Sequence, residues 1–113
     1  MTEPRLKAGI WTSAALRRAH QDGRSGMVLR RGDPDAGGIL VVLRDRQDRM
    51  IVLTQARTLE GESAWSRGTG ADPVDQATVD AYVARQIGRD PDLWVLEIDG
   101  PDLVPPFEAR IIG

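Results

Sequence analysis

The side chains able to do chemistry in this chain are carboxylates and guanidiniums. Seventeen Asp and Glu residues stand beside fifteen basic ones, with a single histidine and no cysteine. Thiol nucleophiles, disulfides, iron–sulfur clusters and thiolate zinc sites are thereby excluded. Any imidazole acid–base scheme must run through His20. Ser13, on the same flank of a predicted helix, lies two turns away, about 10 Å along the axis, so no local Ser–His pair forms.

Two Asp-Pro-Asp tripeptides, Asp33-Pro34-Asp35 and Asp90-Pro91-Asp92, invite a functional reading. The first runs on into Ala36-Gly37-Gly38 and opens like a calcium loop, with carboxylates at the first and third positions and glycine at the sixth. The twelfth position, where a bidentate glutamate is required, is Arg44, and apolar strands replace the flanking helices, so an EF-hand is excluded. A looser magnesium site would need Asp90 and Asp92 beside that loop, and nothing in the sequence brings them together. Turn chemistry accounts for both tripeptides: Asp accepts local backbone bonds, Pro fixes φ and Gly permits positive φ. Gly32–Gly37 lacks the Lys-Ser/Thr of a P-loop and a following helix, and its carboxylates would repel phosphate. No catalytic residue, metal site or cofactor is assigned.

The residues that best combine charge with loop and strand-end positions are Arg30, Arg31, Asp33 and Asp35, with Arg85, Asp90, Asp92 and Trp94. Such positions serve binding more often than packing. Arg–carboxylate pairing between the two segments is an equally good structural reason for the same residues. Trp65, near Arg57 and Arg67, and Trp94 read as core or core-rim aromatics. Arg17, Arg18, Arg24, Arg30 and Arg31, with Lys7, could form a basic surface. Asp22, Asp33 and Asp35 interrupt it, no aromatic ladder accompanies it, and the net charge is -2, all of which argue against nucleic acid and anionic membranes as partners. Fourteen of the fifteen basic residues are Arg, a bias that GC-rich coding or selection for bidentate contacts would produce.

The elements that must position these groups fit one domain of 113 residues. With 41% hydrophobic and 28% charged residues the composition is that of a soluble globule. Lys7, Thr12 and Ser13 interrupt any signal-peptide core, and no run approaches the ~18 apolar residues of a membrane span, so a cytoplasmic location is expected. Leu6–Trp11 reads as a short strand. A helix capped by Thr12 or Ser13 follows to about Asp22, with Thr12, Ala15, Leu16 and Ala19 on one face and Gly23 closing it. Gly26–Arg31 is a strand. The runs Ile39–Leu43 and Met50–Leu53 predict an antiparallel hairpin covered on both faces, the centre of the core. Thr58–Gly70 holds a short edge strand or none.

A second helix has Asp72 as N-cap, Pro73 first and Asp75 third, and runs to Ile87 before Gly88. Val79, Val83 and Ile87 form an apolar stripe for the sheet. Ala77, Ala81, Ala84 and Gly88 form a second stripe of small residues, open to close approach by the first helix or a symmetry mate. Gln76, Asp80 and Gln86 are expected to be partly buried and Arg85 exposed. Leu93–Ile98 is the last strand. The tail from Pro101 contains Pro105-Pro106 and cannot be an interior strand. It either wraps over its own sheet edge or donates a strand to a partner.

Several motifs, in order, carry a family resemblance: Pro4-Arg5-Leu6-Lys7 through Gly9-Ile10-Trp11; Leu16-Arg17-Arg18-Ala19; Arg30 to Gly37; Tyr82 to Gln86; Asp90 to Trp94; and Glu97-Ile98-Asp99. Over about residues 4 to 99 the chain resembles a family of small uncharacterised alphaproteobacterial proteins, domain of unknown function 1491. The resemblance implies no activity and transfers no site residues, while high-GC genomes favour arginine.

The expected architecture is α+β, a mostly antiparallel sheet of four to six strands with two helices, forming one domain (1–113) with a body over 4–99 and a tail over 100–113. The leading functional expectation is a small non-enzymatic binding or self-associating domain, a homo-oligomer or protein-binding module acting through the Ala77/Ala81/Ala84 stripe or the 101–113 tail. The alternatives are an enzyme using Asp/Arg chemistry, with or without a divalent metal, and a nucleic-acid accessory protein with an Arg-rich face.

Overall fold

Ile39-Leu40-Val41-Val42-Leu43 is apolar at every position because both of its faces are covered, each residue being at most 2% exposed. In the computed structural model, which describes residues 6–113, this run lies in one of five strands accompanied by two helices. The order is α1 (Ala8–Gln21), β1 (Ser25–Arg30), β2 (Ile39–Arg44), β3 (Met50–Arg57), β4 (Ser63–Arg67), α2 (Gln76–Arg89) and β5 (Trp94–Asp99). The sheet is ordered β1-β5-β2-β3-β4. Only the β2–β5 pair is parallel; the others are antiparallel. The fold is therefore α+β with a mostly antiparallel sheet. Pro4 and Arg5, read above with the N-terminal motif, lie outside the described residues.

The period-two alternation of the strands sorts the core into two layers. On one face Ile39, Val41 and Leu43 join Trp94, Leu96 and Ile98 under the buried Ala8, Ala15 and Ala19 of α1. On the other, Leu40, Val42, Val52 and Val95 pack under Val79 of α2, with Val83 and Ile87 partly buried. The helices thus occupy opposite faces, and α1 cannot meet the small-residue stripe of α2. Ala77, Ala81, Ala84 and Gly88 are exposed, as are Gln76 and Asp80, which were expected to be partly buried.

Both helix starts differ from expectation, α2 also runs through Gly88 to Arg89 where an end at Ile87 was expected, and β3 continues past Leu53 to Arg57. Leu6–Trp11 is not a strand, because the apolar stripe of α1 extends one turn earlier: Ala8 is buried, and the Thr12 hydroxyl donates to the Gly9 carbonyl inside the helix instead of capping it. The second helix starts at Asp75, not Asp72, because the backbone of Val74 exchanges hydrogen bonds with Met50 and is committed to the sheet. The Asp75 carboxylate then accepts from the backbone N–H of Thr78 at 2.9 Å and its hydroxyl at 2.7 Å, which satisfies an orphan donor and holds the acid below its ordinary range.

The sheet's two edges are treated differently. Beside β4, Trp65 donates to the Arg110 carbonyl, Ile112 to that of Trp65 and Arg67 to that of Gly113. Trp65, Trp11 and Phe107 stack at centroid separations of 5.0 to 5.4 Å, seating the tail over α1's layer. The outer edge of β1 has no strand beside it among the described residues.

Replacing Asp75 by Ala removes the side-chain N-cap of α2 and is expected to cost about 1 kcal/mol, read as a lower urea midpoint with an unchanged slope.

Candidate functional site

β1 and β2 are consecutive in sequence yet flank β5, so residues 31–38 must cross the start of β5. There Asp33 donates its N–H to the Asp92 carbonyl at 3.0 Å, and the Trp94 indole donates to the Asp33 carbonyl at 2.7 Å. Trp94 also donates its backbone N–H to Gly38. The Arg30 guanidinium donates to the Leu93 carbonyl at 3.0 Å, and that of Arg31 lies 5.5 Å from the Trp94 ring centre. A Cβ at Gly32 or Gly37 would collide with the Asp92 carbonyl. The crossing therefore brings Arg30, Arg31 and Asp33 together with Asp92 and Trp94. Asp35 and Asp90 stand at its margin. Arg85 lies elsewhere, over the Tyr82 ring on the exposed side of α2.

Two of the carboxylates at this crossing, Asp33 and Asp90, are spent on their own turns. Asp33 accepts from the backbone N–H groups of Ala36 and Asp35, which hold it below the usual carboxylate range. Asp90 accepts from the backbone of Asp92, and Asp35 pairs with Lys7 at 3.6 Å on the surface. Among the described residues no three potential metal ligands converge. The arginines of the basic surface are dispersed as well. Arg24 is buried against Asp22 and Asp102 at 2.7 and 2.8 Å, while Arg30 and Arg31 are turned onto β5.

A different feature, unremarked in the strand pattern, is Glu97. It lies on β5 beside Val42, on the α2 face of the sheet, and is 9% exposed. It lines a groove of 360 Å³ between α2 and the β1–β5 pair. Val79, Val83, Ala84 and Ile87 form the helix wall, Leu29 and Arg30 the strand rim, and Val42 and Val95 share the floor with Glu97. Small-ligand sites have this character: apolar walls with a few placed polar groups. Burial pushes the Glu97 carboxyl up, with further upward pushes from Asp99 and Asp80 that Arg44 offsets in part. Arg44 donates to Gln76, and Gln76 to Asp80, at 2.8 Å each. Asp99 Oδ1 is buried without a hydrogen-bond partner among the described residues. A lone carboxylate inside the apolar run Leu93–Ile98 was the available signal.

Beyond the groove's rim, β1 presents Met27, Val28 and Leu29 with 47, 36 and 52% of their surface exposed. These are consecutive apolar residues on an open sheet edge. Ala84 belongs both to the groove wall and to the small-residue stripe, so groove, stripe and edge adjoin.

Over residues 6–108 the chain matches the model of a family described as "Protein of unknown function (DUF1491)". A DUF1491 family protein from Caulobacter crescentus CB15 is 31% identical, and its crystal structure superposes with a TM-score of 0.86, covering 96% of this chain and 100% of that one. An NMR structure of a DUF1491 family protein from the same organism gives 0.85 at 30% identity, over 98% and 100%. Protein Atu0922 from A. tumefaciens, 24% identical, shares the fold with a TM-score of 0.81 over 97% and 98% of the two chains. No curated protein matches the chain.

Two substitutions check this geometry. Gly32→Ala forces the crossing away from Asp92 and is expected to cost about 3 kcal/mol or more, visible as a lower thermal midpoint with quenched or shifted Trp94 fluorescence. Glu97→Gln removes a buried charge and supplies a donor for Asp99, and is expected to stabilise the fold by about 1 kcal/mol at neutral pH. Because the folded-state acid titrates above its unfolded value, its ionisation weakens the fold as the pH rises through the raised value. The gain in the variant must therefore shrink as the pH falls toward the ordinary Glu range near ~4.3. Paired thermal scans across pH read it directly.

Proposed function

The chain belongs to the DUF1491 family, and from that starting point we propose that it is a non-enzymatic binding domain that self-associates through β1. The observation that carries the reading is the run Met27-Val28-Leu29, exposed on an edge strand whose outer N–H and C=O groups meet no strand among the described residues. Such an edge is a template for adding another strand, and protected edges normally carry charge or proline instead. Arg30 is the single charged residue of β1. In an antiparallel pair of β1 strands with its two-fold axis at Val28, Arg30 faces Gly26 of the other copy and Met27 faces Leu29, so no like charges meet and the apolar side chains cover one another.

The exposed Ala77, Ala81 and Ala84 stripe supports the same reading, because it adjoins the groove that β1 borders and offers a partner backbone close approach. The tail is assigned to its own domain, where Trp65, Arg67 and the backbone at 110–113 satisfy one another. The engagement of Asp33, Asp35 and Asp90 in turns and a surface pair supports a binding role over carboxylate catalysis.

The test is mass by light scattering from about 10 μM to 1 mM, a range that brackets dissociation constants of weak to moderate homodimers. A dimer is expected, and Met27→Lys with Leu29→Lys is expected to give a folded monomer. A strict monomer at the highest concentration, or a double variant that remains dimeric, overturns the proposal.

A further inference from the structure

We propose that the groove between α2 and the β1–β5 pair is a binding site for a small primary alkylammonium, with its charged head on Glu97 and its tail along Val79, Val83 and Ile87. Glu97 is an acid in an apolar enclosure. It is nine-tenths buried and lines the groove, and its side-chain hydrogen bond is with another acid, Asp99. Two acids sharing one proton in an apolar enclosure keep a negative charge that calls for a counter-charge.

Arg44 supplies it only in part. Asp80 lines the same groove and Asp99 stands two residues along β5, so the carboxylates outnumber the nearby guanidinium of Arg44. Arg44 is paired across the sheet with Asp99, donates to Gln76, and lies 3.5 Å from Asp48. Arg30 at the far rim turns to the Leu93 carbonyl. The uncommitted charge in the groove is therefore negative. Apart from Gln76 the remaining walls are aliphatic, and the volume of 360 Å³ suits a ligand of a few to a dozen heavy atoms. An ammonium supplies three donors to Glu97, and an unbranched chain fills the wall. An anionic or purely polar ligand is disfavoured by the same charges.

Self-association through β1 is tested separately with Met27 and Leu29; because Leu29 rims the groove, ligand binding is measured on the chain without those substitutions. The probe here is hexylammonium chloride, compared with hexanol, hexanoate and ethylammonium, followed by amide chemical shifts of the whole chain and by thermal shift. Hexylammonium is expected to saturate with a dissociation constant of about 1 mM, the range for a ligand of this size. Its shifts should centre on Val83, Ile87 and Glu97, with binding about tenfold tighter than hexanol because the hydrogen bond is charge-assisted. Hexanoate and ethylammonium are expected to leave the spectrum unchanged. Glu97→Gln should erase the preference for the ammonium while keeping the hexanol response, and Ala84→Trp, which fills the groove from the exposed side of α2, should abolish both. Equal binding of hexanol and hexylammonium, undiminished ammonium binding by Glu97→Gln, or no saturable shift for hexylammonium each overturns the site.

Discussion

The position of β5 governs the rest of the molecule. It lies between β1 and β2, antiparallel to the first and parallel to the second, and its interior positions are almost completely buried. Because its two neighbours are consecutive in sequence, the connection between them has to bridge the entering end of β5. That bridge works only where the backbone can lie against the Asp92 carbonyl, which is why glycine stands at Gly32 and Gly37. Trp94 then pins it by donating to Asp33. The paired Asp-Pro-Asp tripeptides are the two sides of this crossing, the first carboxylate of each, Asp33 and Asp90, closing its own turn.

From that arrangement follows the division of the core. A middle strand covered on both faces needs a layer on each side, and α1 with the tail supplies one while α2 supplies the other. Neither helix spans all five strands. On the tail's side, Phe107 fills the space against Trp11 and Trp65. On the opposite side Met27 and Leu29 of β1 stay exposed, beside the groove floored by Glu97. The exposed run on β1 and the groove are thus two consequences of one shortage of cover in a short chain, since small domains bury a smaller share of their surface.

At Glu97 local consistency breaks. An apolar residue there would extend the α2 layer, and the acid instead leaves a charge among aliphatic side chains with another carboxylate two residues away. Sequences that fold well agree across levels, and the departures fall at strained or functional positions. The turn carboxylates show the opposite pattern: Asp33, Asp75 and Asp102 are each held below the ordinary range by bonds that build the fold.

Much of the architecture was legible because it is written in short-range patterns. The two apolar runs of the β2–β3 hairpin, the amphipathic stripes of both helices and the Gly23 terminus with its positive φ of 77° follow from periodicity and backbone sterics alone. The helix starts at Ala8 and Asp75 were not, because each depends on a backbone partner distant in sequence: Pro34 for Gly9 and Met50 for Val74. The same limit applies to the site. Sequence marked Arg30, Arg31, Asp33, Asp92 and Trp94 as unusual, but only the insertion of β5 between β1 and β2 made them neighbours. It likewise could not set Glu97 on a groove floor, since which face a strand residue occupies, and what fails to cover that face, is decided by pairings between segments that the chain brings together only on folding.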